Sequence, residues 1–401
     1  MTGDRENTYD ILIVGAGPAG SSAAIHLAQN GLRVLLVEQK KFPRNKLCGE
    51  FISPECLTHF AELNVLDEMS IAGGVSLDRT VFYARNARSV AVPSEWFTAG
   101  SGALGLSRAE MDERLLIRAR AAGAGVLEET YAAGLLFDNE KVSGVQLRNK
   151  RREMFNVKAA LTIDATGRAR ILARQIEKAD NNGKRSRAQF VAFKTHLAGA
   201  NIPDGDCEIY AYRGGYGGCS RVENDRFNLC FIVSADIAKK YGGDAAEIMQ
   251  KAVFENKRAE ISVRNARIVE DWLAVPIQSY GRAELAPADG LLTIGDAAAF
   301  IDPFTGSGIL LALESAKIAA RVITNEFLKN KMERSFSELA RDYRSQYAAA
   351  FDRRLRVCSL LRYAAFVPFF AETVIKGLAL SERLTRRLAR ATRPAPLIWR
   401  H

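Results

Sequence analysis

The chain has 401 residues, of which 48% are apolar, and a formal net charge of +10. This length and composition allow a buried core, two domains and a tail. Only four histidines are present, and the six cysteines show no CxxC pair and no zinc-ligand spacing. The sequence therefore predicts reduced thiols and argues against a metal site or a disulfide framework. The first eight residues are polar and unlike a signal peptide, which favours a cytoplasmic protein.

The excess positive charge is concentrated in the C-terminal region. Residues 351–401 contain eleven Lys and Arg residues and three acidic residues. A nucleic-acid-binding protein more often carries its basic stripe and stacking aromatics across the main fold, so no nucleic-acid partner is expected. The basic residues flank apolar stretches, such as 363–371, that are too short to span a bilayer. Two interpretations are open: a helix lying on the anionic inner face of a membrane, or the solvated face of a C-terminal helical cap.

The first predicted element is a strand, turn, helix and strand unit. An apolar run at 11–14 leads into GAGPAG at 15–20, a helix is predicted at 21–29, and a second strand at 34–37. These glycines permit a tight turn, close approach of the backbone to a pyrophosphate, and close helix–strand packing. Glu38 follows the second strand. A carboxylate at this position accepts hydrogen bonds from the hydroxyls of an adenosine ribose and repels a 2′-phosphate. The unit therefore predicts a dinucleotide site for FAD or NAD rather than NADP.

The middle of the chain predicts a return to this sheet and then a second sheet. Residues 107–122 predict a helix in which Ser107 and Glu110 form a capping box. First-sheet strands are predicted at 125–129, 134–138, 142–148 and 158–165, and strands of a mostly antiparallel sheet at 189–196, 207–212, 217–222 and 227–233. A helix at 244–264, a buried strand at 291–294 and a helix at 308–327 complete the pattern.

These elements predict an α/β (α+β) fold class. A discontinuous Rossmann-like dinucleotide-binding domain would comprise residues 1–75, 100–185 and 270–330. A substrate-binding sheet domain at 76–99 and 186–269 would be inserted into it. Residues 331–401 would form a C-terminal basic helical region. The oligomeric state is left open.

A second glycine-rich segment, GDAAAFIDPFTGSG at 295–308, follows the predicted strand at 291–294. It places a carboxylate, Asp296, at the C-terminal end of a strand and backbone N–H groups where the next helix begins. Backbone N–H groups at a helix N-terminus favour negative charge nearby. They would stabilise an anionic reduced flavin.

Together, four motifs make residues 9 to about 330 resemble a group of FAD-dependent enzymes: GAGPAG with Glu38, SRAEMDERL with Arg108, DATG at 164–167, and GDAAAFIDPFTGSGI. The group contains geranylgeranyl reductases, flavin hydroxylases and flavin halogenases. The resemblance implies a resident FAD, with Glu38 on the adenosine ribose, Arg108 near the phosphates or ribityl chain, and Asp296 on the ribityl chain. The cofactor-binding residues expected are Gly15, Gly17, Pro18, Ala19, Gly20, Glu38, Gln39, Arg44, Cys48, Gly49, Arg108, Asp164, Gly167, Gly295, Asp296, Pro303, Gly306, Ser307, Gly308 and Ile309.

Cys48 is the candidate catalytic residue. It lies in FPRNKLCGE at 42–50, which is similar to the segment that geranylgeranyl reductases place beside the isoalloxazine ring. The resemblance implies that Cys48 is a proton donor or a group that shapes the reaction centre. A small residue that packs the loop explains the same pattern, since free cysteines often have that role.

The substrate side of the chain departs from the family patterns. Geranylgeranyl reductases usually carry Tyr, Trp and Phe-Pro in the sheet domain, whereas this chain has GGYGGCSRV at 214–222, and the Trp-rich motif of halogenases is also absent. Aromatic residues on the predicted strands are either a substrate wall facing the flavin or plain core. These candidates are Phe193, Tyr210, Tyr212, Tyr216 and Phe231.

Three functions fit these patterns. The first is a reductase that transfers a hydride from reduced FAD to a double bond of a lipophilic isoprenoid, quinone or polyketide-like substrate. The second is a monooxygenase that hydroxylates an aromatic or polyketide substrate through a flavin C4a-hydroperoxide. The third, a non-enzymatic lipid-binding protein like the prenyl-Rab escort proteins, is disfavoured by the intact glycine motifs. No second glycine fingerprint is present, so NAD(P)H would dock transiently at the flavin or a partner would supply electrons.

Overall fold

A computed structural model of the chain describes residues 8–97, 102–180, 188–277, 280–300, 306–329, 335–366 and 375–393. The strands are β1 Thr8–Val14, β2 Val34–Val37, β3 Phe51–Ile52, β4 Val75–Leu77, β5 Arg79–Tyr83, β6 Ser89–Pro93, β7 Ala103–Gly105, β8 Gly125–Leu127, β9 Tyr131–Asp138, β10 Lys141–Arg148, β11 Met154–Asp164, β12 Phe190–Ala198, β13 Asp206–Tyr212, β14 Gly215–Val222, β15 Arg226–Ser234, β16 Arg267–Ile268, β17 Leu273–Ile277, β18 Gly281–Arg282, β19 Leu291–Thr293 and β20 Ala299–Phe300. The helices are α1 Pro18–Gln29, α2 Pro54–Glu62, α3 Leu66–Ile71, α4 Arg108–Ala121, α5 Ala173–Asp180, α6 Ala235–Lys240, α7 Ala245–Lys251, α8 Lys257–Val263, α9 Gly308–Thr324, α10 Phe336–Phe366 and α11 Glu382–Ala391.

The first sheet has the order β8-β2-β1-β11-β10-β9, and β19 pairs with β11. Strands β8, β2, β1, β11 and β19 run parallel to their neighbours, while β9 and β10 are antiparallel. Side chains alternate along a strand, and both faces of β1 are buried: Ile11 and Ile13 join the core of α1, α4 and α9, while Leu12 packs with Val145 and its neighbours. The apolar run at 11–14 thus forms a central parallel strand, and the predicted Rossmann-like fold class is confirmed.

The second sheet has the order β16-β12-β15-β14-β13-β5-β6, and β17 also pairs with β12. Its pairs are antiparallel except for β5 with β13. Strand β17 lies at residues 273–277, which the predicted boundary at 270 assigned to the nucleotide-binding part. Its hydrogen-bonded register with β12 places it in the second sheet instead. A small sheet of β3, β7 and β4 lies between the two parts of the chain.

The single helix predicted at 244–264 is wrong. Helices α7 and α8 are separated by a short 3-10 turn, Val253–Glu255. Asn256 causes the break, because its side-chain oxygen accepts hydrogen bonds from the N–H groups of Arg258 and Ala259 and so starts α8. Its side-chain nitrogen donates to the carbonyls of Tyr83, Ala84 and Ala211, and so ties the helices to the sheet.

The C-terminal region packs on both parts of the fold. Helix α10 buries Tyr343, Tyr347 and Phe351 in the core that contains α9. The buried Arg354 donates to Glu314 of α9 at 2.9 Å. Helix α11 then returns to β6 of the second sheet. No helix in the described ranges has the length and apolar character needed to cross a membrane.

Candidate functional site

The glycine turn between β1 and α1 has the shape that a dinucleotide requires. Gly15 has φ +104°, and a Cβ atom there would lie 2.4 Å from the Ala165 carbonyl oxygen. A Cβ atom at Gly20 would lie 1.8 Å from the Gly15 oxygen, so α1 packs against the turn only because position 20 is glycine. Gly17 is the N-cap of α1, no side chain caps this helix N-terminus, and Gly17 and Ala19 line the cavity, as an anion site at a helix N-terminus requires.

Two arginines complete the anion site at this helix N-terminus. The guanidinium groups of Arg44 and Arg108 lie 3.9 Å and 3.8 Å from the position of a Cβ atom built on Gly17. Asp112, fully buried, accepts from Arg44 at 3.0 Å and from two nitrogens of Arg108 at 2.8 and 2.7 Å. Burial opposes the charge of Arg108, but the Asp112 carboxylate holds the pKa of Arg108 above its ordinary value. Both cations are therefore fixed where the pyrophosphate of FAD would lie.

Glu38 lies at the end of β2 beside the turn. Its buried carboxylate accepts hydrogen bonds from the N–H groups of Ala16 and Lys40, both at 2.9 Å. Each carboxylate oxygen can accept a second hydrogen bond. Glu38, Gln39 and Thr130 line the same cavity as the glycine turn. This end of the cavity fits an adenosine ribose.

The other end of the cofactor region is formed by the segment around Cys48 and the start of α9. Cys48 is half-buried; its sulfur accepts from the Glu50 N–H at 3.4 Å and its carbonyl accepts from Asn228 at 3.2 Å. Asp296 lines the cavity opposite, and burial raises the pKa of its carboxyl against the opposing charges of Arg168, Arg108 and Lys46. The residues present at both ends therefore fit FAD.

A buried ion cluster two residues from Cys48 joins the start of α4 to strand β12 of the second sheet. One Glu50 oxygen accepts from the Lys194 ammonium at 2.5 Å and from the Arg108 N–H at 2.8 Å, and the other lies 2.6 Å from His196 Nε2. Glu270 lies 2.8 Å from His196 Nδ1. Burial alone would raise the pKa of Glu50, but the hydrogen bond from His196 and the charge of Lys194 lower it below its ordinary value.

The cofactor region and an apolar chamber beyond it form one continuous cavity. The whole cavity has a volume of about 580 Å³. Much of the chamber wall comes from one face of the second sheet, with Val92, Ala192, Ile209, Ala211, Ile232 and Ile277. The opposite wall comes from residues 375–393, which include α11. None of the described second-sheet residues that line the cavity is charged.

Most of the expected cofactor residues line this cavity. They are Gly15, Gly17, Pro18, Ala19, Glu38, Gln39, Arg44, Cys48, Gly49, Arg108, Gly167, Asp296, Gly306, Gly308 and Ile309. Pro303 lies outside the described residues.

Four expected cofactor residues contribute to the shape of the site without lining it: Gly20, Asp164, Gly295 and Ser307. Asp164 is buried and accepts from the N–H groups of Thr166, Leu172 and Ala173 and from the Thr166 hydroxyl. Its carboxylate therefore fixes the loop that carries Gly167. A Cβ atom at Gly295 would lie 2.8 Å from the Ala19 Cβ, so this glycine allows close packing on α1.

The aromatic candidates for a substrate wall lie elsewhere. Phe193, Tyr210, Tyr212 and Phe231 form a core with α6, α7 and α8 on the opposite face of the second sheet. Alternation along the strands explains this placement, because Ala192, Ile209, Ala211 and Ile232 occupy the cavity face at the neighbouring positions. Tyr216 lies on the cavity side but packs against Ala192, Ile232 and Ile277 and does not line the cavity.

Sequence reasoning missed three parts of the site. Arg168 lines the cavity directly after DATG, where a basic residue beside a glycine motif was a usable signal. Lys194 and His196 also had a usable signal, because they are ionisable residues inside an otherwise apolar strand. The wall formed by residues 375–393 had no signal beyond an amphipathic pattern, because its contacts are distant in sequence.

Replacing Arg44 by Met should weaken FAD binding by about 10–100-fold, since a charged hydrogen bond contributes about 1.5–3 kcal/mol. Titration of the apoprotein with FAD, followed by flavin fluorescence, measures this change. Asp112 keeps its bonds to Arg108, so the apoprotein should remain folded. Lys41→Met, which removes an exposed neighbouring cation, is the matched control. Equal FAD affinity of Arg44→Met and the control would contradict the assigned pyrophosphate position.

Replacing Glu50 by Gln should lower the free energy of unfolding by about 3–5 kcal/mol at pH 7, because it leaves Lys194 and His196 buried without their partner. The pKa of Glu50 is lower in the folded chain than its ordinary value of 4.5. Its stabilising effect is therefore complete above about pH 4.5 and is lost as the pH falls through the folded value. Urea unfolding at several pH values should show the gap between wild type and Glu50→Gln narrowing in acid. The control Glu68→Gln, at an exposed position, should change the free energy of unfolding by less than about 0.5 kcal/mol at every pH. A difference between wild type and Glu50→Gln that does not vary with pH would refute the ionised cluster.

Comparisons with known proteins identify the family. The family model described as FAD binding domain matches residues 8–350. The digeranylgeranylglycerophospholipid reductase of Methanosarcina acetivorans is 31% identical over 324 residues, which cover 78% of this chain and 74% of the relative.

Solved structures share the fold. A geranylgeranyl bacteriochlorophyll reductase-like protein from Thermoplasma acidophilum superposes with a TM-score of 0.77 at 21% identity, covering 96% of both chains. The flavin-dependent brominase Bmp2 gives a TM-score of 0.79 at 22% identity, covering 98% of this chain and 96% of the brominase. With the family model spanning most of its length and most of the predicted cofactor residues lining one cavity, the chain belongs to the FAD binding domain family and is an FAD-dependent oxidoreductase.

Proposed function

We propose that this oxidoreductase saturates a carbon–carbon double bond in a lipophilic substrate with a long aliphatic chain. The observation that carries the proposal is the mainly aliphatic wall of the second sheet, which continues from the cofactor region without a charged side chain. Burying an alkyl chain there would contribute about 0.8 kcal/mol per methylene group. The curated relative is named for a lipid that carries geranylgeranyl chains, and we extend that substrate class to this protein.

Glycine residues shape the wall where the sequence departs from the reductase pattern. A Cβ atom at Gly218 would lie 2.8 Å from Ile209 Cδ1. Ile209 therefore occupies space that a larger residue at 218 would need. A flexible isoprenoid chain can follow such an aliphatic surface without the missing aromatic residues.

The chain's own residues would hold the cofactor and prepare the reaction. Arg44, Arg108 and the N-terminus of α1 would hold the pyrophosphate, and Asp296 would accept from the ribityl chain. When bound, reduced FAD supplies the hydride for the double bond. The Cys48 thiol would carry the proton for the second carbon, since Cys48 lines the cavity and the chamber beyond it is mainly apolar.

The electrons would come from NAD(P)H that docks transiently or from a redox partner. The substrate class also makes a membrane surface the proposed source of the lipid, reached from its inner face by the basic C-terminal region.

The dithionite-reduced holoprotein, mixed without oxygen with a geranylgeranyl lipid in detergent, should yield a product heavier by two hydrogens for each reduced bond. In D₂O both added hydrogens should be deuterium, because the N5 hydrogen of the dithionite-reduced flavin and the thiol hydrogen both exchange with solvent. Mass spectrometry of the extracted lipid measures both. A product that instead gains oxygen when air is admitted, together with a transient absorbing species during flavin reoxidation, would establish the hydroxylase alternative.

Cys48→Ala in the same assay tests the assigned proton donor. Loss of general-acid catalysis should lower kcat by about 100-fold or more without a comparable change in FAD affinity. Cys219→Ala is the matched control, because it removes a thiol from the opposite face of the second sheet. An unchanged kcat for Cys48→Ala would leave Cys48 as a packing residue.

A further inference from the structure

Residues 375–393, here named the closing segment, form one wall of the chamber. Its residues that line the cavity are Ile375, Leu378, Thr385, Leu388, Ala389, Thr392 and, at the C-terminal end, Arg393. Positions 385, 388, 389 and 392 recur at the helical repeat, so one face of α11 is turned to the chamber. Ile375 and Leu378 pack with Ala84 and Val90 of the second sheet and its adjoining turn. An occupant of the chamber would therefore touch this segment directly.

The outer face of the closing segment combines positive charge with exposed leucines. Arg383, Arg386 and Arg387 are exposed, and no carboxylate in the described part of the chain forms an ion pair with any of them. Leu380 is 81% exposed and Leu384 is 53% exposed. The segment contains six basic residues and one acidic residue. Apolar side chains among cations match the composition of a surface that binds anionic lipid.

The polar attachments of the segment lie near its C-terminal end. Arg390 donates to the Trp96 carbonyl at 3.1 Å. Arg393 lies 3.5 Å from Glu55, and its guanidinium is 4.5 Å from the Phe97 ring. The contacts made by Ile375 and Leu378 at the other end are apolar. A bilayer that takes up apolar side chains would compete with those contacts and leave the polar end attached.

We propose that the closing segment binds an anionic bilayer through its outer face and that this binding opens the chamber to a lipid from the membrane. The inference rests on the proposed lipid-reductase function, but it concerns how the substrate reaches the site. The C-terminal region would then be both a cap and a membrane surface, because the two roles use opposite faces of one helix.

The holoprotein should sediment with vesicles of phosphatidylcholine mixed with phosphatidylglycerol, and only weakly with phosphatidylcholine alone. Binding should weaken with added salt. Replacing Arg383, Arg386 and Arg387 together by Glu should lower the partition coefficient by about 100-fold or more. Replacing Lys239, Lys240 and Lys251 by Glu changes the net charge equally at exposed positions on the far side of the second sheet and should have a much smaller effect. Equal losses in both variants, or unchanged binding of the arginine variant, would overturn the assigned surface.

Hydrogen exchange tests the opening step separately. Adding the anionic vesicles should speed exchange in β6 and at residues 375–378 of the wild type, and leave the arginine variant unchanged. Vesicle binding without faster exchange would show a bound but closed segment and reject the opening. These readouts need no turnover, so they are independent of whether the lipid assay supports double-bond reduction.

Discussion

The arrangement of the site depends on the contacts of the Glu50 carboxylate. It is buried, and its oxygens contact the N-terminus of α4 from the first part of the fold and Lys194 and His196 from the second sheet. A buried carboxylate is tolerated only when its charge is matched and its oxygens are occupied, so the two parts of the fold must meet in this arrangement. Cys48 lies two residues before Glu50, so the same contacts position Cys48. The cofactor end and the apolar chamber are aligned because one ion cluster fixes both.

The cavity combines a charged cofactor region with a chamber whose lining is mainly apolar. At the cofactor end, fixed cations and a helix N-terminus hold charge in place. Beyond Cys48 the described second-sheet residues that line the cavity are uncharged and mainly apolar, so burial would contribute most of the binding of a substrate held there. The closing segment completes this apolar chamber with one face and presents positive charge outward with the other. A lipophilic substrate fits both properties.

The cofactor end could be predicted from sequence because its motifs are local. GAGPAG, Glu38 and the 295–308 segment each combine a turn, a strand end and a helix start within a few residues. Asp164 had a local signal too, but its partners are N–H groups of its own loop, which sequence spacing cannot distinguish from cofactor contacts. For the aromatic residues of the second sheet the sequence left a substrate wall and plain core both open, because aromatic content without strand parity cannot separate the two. Phe193, Tyr210, Tyr212 and Phe231 are core residues. Phe193 and Ala192 are adjacent, yet only pairing with the neighbouring strands decides which of them faces the cavity. Glu50 lies more than a hundred residues from both Lys194 and His196, so only the fold shows that they are in contact.

A crystal structure of the holoprotein with FAD and a long-chain alkyl detergent tests this account most directly. We predict the pyrophosphate beside Gly17, Arg44 and Arg108, the flavin ring between Cys48 and the start of α9, and the alkyl chain between Ile232 and Leu388. A flavin ring remote from Cys48, or an alkyl chain bound outside the chamber formed by the second sheet and the closing segment, would contradict it.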